Sequence, residues 1–166
     1  MTDYKGADEI IARTRAFFEG HLKQYLSSGG AQGHIIDFSH VSKRNMLPTL
    51  LLQTTGRKSG RRSVLPLIYG VYAGEWVIIA SKGGSPEHPA WYLNMLDQKE
   101  VQFQVGTQAF RATWRSPEGT ERKQVWDYMA TLYPPYNDYQ TGAAGRIIPV
   151  VMMKPTGEVP VFREGA

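Results

Sequence analysis

The stretch TLLLQTTGRKSGRRSVLPLIYGVYAGEWVIIAS, residues 49–81, decides the fold. Its three apolar runs, TLLLQTT, SVLPLIYGVYA and EWVIIAS, are short and rich in β-branched and aromatic residues, as strands are. Ala73-Gly74 separates the second from the third with a hairpin signal, and Gly56 to Gly60 separates the first from the second. The expectation is an antiparallel meander. Its turns carry more charge than its strands, with Arg57, Lys58, Arg61 and Arg62 falling inside six residues.

Downstream the pattern continues. A short helix is expected over residues 89–96, then strands VQFQV and AFRATWR around a hairpin at Gly106-Thr107. Ser116-Pro117-Glu118 is read as opening a helix with Val125, Met129 and Leu132 on its apolar stripe, Pro117 standing in the tolerant first turn. That helix stops at Pro134-Pro135, which argue against a regular helix through the tyrosines that follow. The run IIPVVMM reads as a last strand. Upstream, residues 8–28 place Ile11, Phe18, Leu22 and Tyr25 on one helical face. The stretch from there to Leu47 has no clear period. Strands dominate and strand-helix-strand alternation is missing, so the fold class is mainly β with peripheral α-helices (α+β), a small barrel rather than a doubly wound sheet. The organisation is a single domain over residues 1–166: an N-terminal helix and loop (1–47), a barrel core (48–155) and a polar tail (156–166).

Composition excludes several function classes. The 166 residues contain no cysteine, which removes disulfides, thiolate nucleophiles and cysteine-ligated metals. The four histidines, His21, His34, His40 and His88, are scattered, with neither His-Glu-x-x-His nor an acidic cage, so no metal site is expected. The N-terminal twenty residues lack the apolar segment of a secretion signal, and no apolar run reaches the roughly 20 residues of a spanning helix. The formal net charge of +4 favours acidic ligands.

Two glycine-flanked basic loops follow strands. The first is Thr54-Thr55-Gly56-Arg57-Lys58-Ser59-Gly60-Arg61-Arg62, where free backbone N–H groups, forked Arg donors and a mobile Lys suit phosphate or carboxylates. It lacks both the P-loop and the dinucleotide fingerprint. A solvated turn or a nucleic-acid patch reads the same composition. The second is Ala80-Ser81-Lys82-Gly83-Gly84, followed by His88-Pro89-Ala90-Trp91-Tyr92-Leu93-Asn94, whose Trp91 and Asn94 share a helical face. Tyr133, Tyr136 and Tyr139, preceded by Trp126 and Tyr128, form either a clamp of a helix end on the barrel or an aromatic lid over a flat substrate. No serine setting or acid-base constellation suggests hydrolysis, which points to a cofactor for the chemistry.

Taken in order from about Leu50 to Pro155, these motifs resemble the deazaflavin-dependent nitroreductase family of actinobacteria. The resemblance implies a split β-barrel like that of FMN-binding proteins, with coenzyme F420 (an 8-hydroxy-5-deazaflavin with an oligoglutamate tail) in a surface groove. It assigns Arg57, Lys58 and Ser59 to the phosphate and tail, and Ala80, Ser81, Lys82 and Gly84 to the headgroup and its linker. Pro66, Trp91 and Asn94 complete the pocket. The family often has Arg just beyond the second glycine, where this chain has Arg61-Arg62-Ser63. If the key position is Ser63, Arg62 must serve from a neighbouring position facing the other way.

The implied activity is hydride transfer from reduced F420 to a conjugated acceptor, a quinone, an enone or a nitro compound. Tyr133, Tyr136, Tyr139 and Ser81 are then the candidates to donate a proton or hydrogen bond. A non-catalytic deazaflavin carrier would need the basic loops but not the tyrosines. A nucleic-acid-binding barrel is disfavoured because no aromatic residues interleave with the basic run. The implied location is cytoplasmic. Phe17, Phe18 and basic neighbours would suit a membrane surface if the helix served quinone access. No self-complementary apolar face fixes an oligomeric state.

Overall fold

A computed structural model describes residues 4–37 and 46–164, with side chains from residue 16 onward. The elements run α1 (Tyr4–Ser27), β1 (Ile35–Asp37), β2 (Met46–Thr55), β3 (Arg62–Ile68), β4 (Gly70–Tyr72) and β5 (Glu75–Ile79). A single 3-10 turn (Lys82–Gly84) leads to α2 (Ala90–Leu96), β6 (Glu100–Val105), β7 (Gln108–Arg115), α3 (Gly119–Leu132), α4 (Pro135–Gly142) and β8 (Val150–Val159).

The sheet order is β1-β2-β6-β7-β8-β5-β4, with β3 also on β2. Every pairing is antiparallel. Residues 51–53 of β2 pair with β6 and with β3 at once, so these two flank opposite edges of β2. Only Tyr69 separates β3 from β4, and there the chain leaves β2 and joins β5. No described pairing closes the ring. Covalent chain, not a hydrogen-bonded ladder, spans the seam, which makes this a split β-barrel.

Both faces of the central strands are covered, which explains their continuous apolar runs. Leu50, Leu52, Ile78, Phe103, Val151 and Met153 fill the barrel interior. The alternate residues Val77, Ile79, Val150 and Met152 pack outward under Val125 and Met129 of α3. Leu51 and Ala109 pack outward with Tyr25 of α1 and Phe162. Each fully buried Val, Leu, Ile, Phe or Met side chain among them contributes about 1.5–3 kcal/mol. Tyr25 is fully buried, donates to the Thr49 carbonyl at 2.9 Å and accepts the Gly106 N–H at 2.8 Å, tying α1 to two strands.

Several sequence expectations are corrected. The run 63–73 is two strands, because the chain changes partner at Tyr69. There Gly70 admits α3 so closely that a Cβ would lie 2.7 Å from Met129 Sδ. The stretch read as polar tail continues β8 to Val159, and Phe162 beyond it is buried. Pro155 is tolerated because β5 pairs only residues 150–153, leaving Pro155 bonded on the β7 side alone, beside a register shift. Pro117 precedes the helix: the N-cap of α3 is Glu118. Helix α3 ends just before Pro134-Pro135 as expected, but the tyrosines beyond are helical after all, since Pro135 is the first residue of α4, where its missing N–H costs nothing. A short strand, β1, lies in the segment expected to be loop. Helix α1 begins at Tyr4; Tyr25 and partly Leu22 face the barrel, while Phe18 is 40% exposed and the side chain of Ile11 lies outside the described residues. No described helix is long and apolar enough to cross a membrane.

Candidate active site

A cavity of about 630 Å³ opens beside the seam, between β3, the 81–83 loop, α2 and the start of α4. Pro66, Ser81, Lys82, Trp91, Asn94, Tyr133, Tyr136 and Tyr139 all line it, eight of the residues expected from sequence. Leu65, Leu67 and Ile68 supply its apolar floor, and Phe18 of α1 stands at its edge. Ser63 lines it as well, whereas Arg62 does not. Leu65 and Leu67 face the interior cluster with Ser63 in step, and Val64 packs toward α1, whereas from Leu65 to Ile68 successive residues of both faces line the cavity.

The basic turn lies at the far end of β2 and β3, where Thr55 opposes Arg62. It is closed by Gly56 N–H on the Arg61 carbonyl (2.7 Å) and Gly60 N–H on the Gly56 carbonyl (2.8 Å). Arg57, Lys58, Ser59, Arg61 and Arg62 are exposed, and among the described residues none of the four cations has a carboxylate within ion-pair distance. Ser59 Oγ accepts the Arg61 N–H at 3.1 Å and so shapes the turn. Asn94 joins turn and cavity. Its Oδ1 accepts the Arg57 backbone N–H at 3.1 Å and its Nδ2 donates to Thr54 Oγ1 at 3.2 Å. Trp91 is at once part of the barrel core and of the cavity wall.

Across the cavity stand the tyrosines. Tyr133 and Tyr136 meet edge-on at 4.9 Å between ring centroids, and Tyr139 packs on both. Trp126 supports Tyr136 from behind and donates to Asn137 Oδ1 at 2.9 Å, while Tyr128 packs on Tyr72. The three rings are thus both a core clamp and a cavity wall. Burial raises the Tyr133 hydroxyl well above the ordinary tyrosine range, reinforced by its hydrogen bond with Tyr139, and burial raises Tyr136 likewise. Both hydroxyls therefore stay protonated at any working pH.

The loop between β5 and α2 forms the remaining wall. Ala80 is buried with its N–H on the Pro149 carbonyl (3.0 Å), so it supports the wall without lining the cavity. Lys82, Gly83 and Gly84 have φ of +45°, +61° and +83°, a left-handed run that glycine relieves at two of three positions. A Cβ on Gly84 would lie 2.9 Å from Tyr139 Cα and O, so Gly84 is the point at which this loop touches α4. Sequence reasoning did not find Arg146, which packs behind the loop, nor the placing of Phe18. Neither has a motif; their partners are fixed only by folding. No group of metal-ligating side chains occurs among the described residues.

Fold and site define a split-barrel protein with an aromatic-walled cavity and, beyond it, a cationic turn that no carboxylate among the described residues pairs. Comparison with known proteins narrows that class. Residues 24–155 match the family described as F420H(2)-dependent quinone reductase. An F420H(2)-dependent quinone reductase of Mycobacterium tuberculosis is 33% identical over 136 residues, covering 80% of this chain and 86% of that protein. A solved structure of an F420-H2 dependent reductase is 40% identical, with a TM-score of 0.58 over 64% of this chain and 94% of the other. Another, described as a domain-swapped dimer, is 34% identical, with a TM-score of 0.60 over 90% of this chain and 99% of the other. The chain belongs to the F420H(2)-dependent quinone reductase family. It is an F420H2-dependent reductase and coenzyme F420 is its cofactor.

Proposed function

We propose that this protein reduces a quinone in the cavity bounded by the Ser81 loop and the three tyrosines, with the coenzyme tail lying over the basic turn. Bound reduced F420 supplies a hydride from the carbon that replaces the reactive flavin nitrogen, favouring two-electron chemistry. The residues present fit that coenzyme. Arg57 and Lys58, exposed and without carboxylate partners among the described residues, suit a phosphate and oligoglutamate tail, with Ser59 shaping the turn and Arg62 flanking it. Asn94 holds the Arg57 backbone at the junction with the cavity. Pro66, Trp91, Ser81 and Lys82 line a cavity of about 630 Å³, with Ala80 and Gly84 supporting the loop, a setting suited to a flat ring system.

The observation that carries the acceptor reading is the hydroxyl pair of Tyr133 and Tyr139, 2.9 Å apart on the cavity wall. A protonated phenol there donates a hydrogen bond to the oxygen on which negative charge develops as a quinone accepts hydride. Tyr136, buried, packs the pair in place, and Ser81 offers a hydroxyl from the opposite wall. An apolar floor of Leu65, Leu67 and Ile68 excludes water and suits a quinone ring better than a charged acceptor.

A cytoplasmic location belongs to the same proposal. The packing of Tyr25 and Leu22 on the barrel, and of Phe17 on the α3 cluster, supports a helix docked on the protein rather than laid on a bilayer. The test is anaerobic oxidation of F420H2, followed by absorbance, with a soluble menaquinone analogue, an unsaturated lactone and a nitroimidazole as separate acceptors. Preferential turnover of the quinone supports the proposal. Turnover of the lactone or nitro compound alone, or of none, overturns the quinone assignment.

A further inference from the structure

One half-buried polar feature lies outside every assignment above. Arg146, between α4 and β8, directs its whole guanidinium at the loop behind the cavity. Nε donates to the Ser85 carbonyl at 2.9 Å, Nη1 to the Ala80 carbonyl at 3.0 Å and Nη2 to the Ser81 carbonyl at 2.8 Å. Nη1 also lies 3.2 Å from His88 Nδ1, which accepts when the imidazole is neutral. Burial lowers the Arg146 pKa, and among the described residues no carboxylate lies within ion-pair distance of it.

We infer that Arg146 is a positioning residue, whose fork fixes the 80–85 loop against α4 and so sets the spacing between the Ser81 wall and the tyrosine wall of the cavity. The loop needs an external brace. It turns through three successive left-handed residues, one of them Lys82, a conformation L side chains rarely adopt. Three carbonyls drawn from six residues converge on one guanidinium, which only a planar group with several fixed donors satisfies together.

The other end of the brace is tied to the helix that carries Tyr136 and Tyr139. The Arg146 N–H donates to the Ala143 carbonyl at 3.0 Å, and its carbonyl accepts from Gln140 Nε2 at 2.7 Å. Gln140 Oε1 in turn accepts the Ile148 N–H at 2.9 Å. Gly84 meets the Tyr139 backbone directly. Arg146 therefore holds both walls, and its position relative to one cannot change without moving the other.

The catalytic part of this inference rests on the quinone reductase reading, but the loop geometry does not, so the test has two arms. In the first, amide hydrogen exchange is measured on protein without coenzyme. Arg146→Gln is expected to speed exchange of residues 81–85 about tenfold or more while residues 56–61 of the basic turn are unchanged. In the second, oxidised F420 is titrated by fluorescence and F420H2-dependent quinone reduction is measured. Arg146→Gln is expected to weaken coenzyme affinity and to lower kcat about tenfold or more, with KM for the quinone little changed, because misplacement acts on the reacting geometry. Arg146→Lys, which keeps the charge but not the fork, should fall between, and it carries the test if Arg146→Gln does not fold. Unchanged exchange at 81–85 overturns the brace. Faster exchange with unaltered affinity and kcat overturns the positioning role. Failure of the wild type to bind F420 would instead indict the functional reading, leaving the exchange result to judge the brace alone.

Discussion

The hydroxyls of Tyr133 and Tyr139 lie 2.9 Å apart, one at the C-cap of α3 and the other inside α4. Pro134 and Pro135 make the pair, by ending α3 and starting α4 within three residues. The rings thus come together from two directions on one wall of the cavity.

Removing either hydroxyl should separate chemistry from coenzyme binding. Because burial raises the Tyr133 pKa, the proposed role is that of a donor and not of a base. Tyr133→Phe and Tyr139→Phe are expected to lower kcat for quinone reduction by about 10–100-fold, the scale for loss of one transition-state donor, with F420 affinity retained. Steady-state rates beside fluorescence titration give both quantities. Retained turnover in both variants would favour a coenzyme carrier over an enzyme whose tyrosines act.

The basic turn should behave as an electrostatic site. If Arg57 and Lys58 hold the coenzyme tail as proposed, Arg57→Ala and Lys58→Ala each remove a charge-assisted contact and are each expected to weaken F420 binding about tenfold or more, less so in high salt. Asn94→Ala should weaken it too, by freeing the Arg57 backbone N–H and Thr54 Oγ1 that the side chain now satisfies. Equal affinity for all three proteins across a salt series would remove the turn from the binding site.

Stability should respond strongly at Tyr25, whose phenol burial pushes its pKa up to about 12. Tyr25→Phe leaves the Gly106 N–H without the acceptor it has at 2.8 Å and removes the bond to the Thr49 carbonyl. The expected cost is about 1–3 kcal/mol, read as a lower urea midpoint at unchanged slope.

Acid should destabilise the fold before its carboxylates titrate. His21, His34 and His88 all have pKa values lowered from 6.5, chiefly by burial, with Arg146 adding to the effect at His88. The unfolded chain therefore binds more protons than the folded one below about pH 6.5, and stability falls as pH drops from there through the lowered values. Thermal midpoints between pH 8 and 5 should decline over that window, and His88→Gln should flatten part of the decline.

Much of this was legible in the sequence, and the exceptions have physical causes. Strand periodicity and the Ala73-Gly74 and Gly106-Thr107 hairpins located β2, β5, β6 and β7, because local twist and side-chain alternation dictate them. The break at Tyr69 has no local signature, since it arises from a change of partner across the barrel seam. The extension of β8 past Pro155 was hidden because a strand bonded on one side tolerates proline. In the site, Arg57 and Lys58 stood out by composition, and the tyrosines by their spacing. Of the neighbours Arg62 and Ser63, only Ser63 lines the cavity. Arg146 was invisible: its partners are backbone carbonyls more than 60 residues away in the chain, and a carbonyl has no sequence identity.

The most direct test of the central claim, that basic turn and cavity form one F420 site, is fluorescence titration of the purified protein with oxidised F420, beside FMN, at several salt concentrations. Saturable F420 binding is expected, stronger than FMN binding and weakened by salt and by Arg57→Ala and Lys58→Ala. No F420 binding, or a preference for FMN that those substitutions leave untouched, would contradict it.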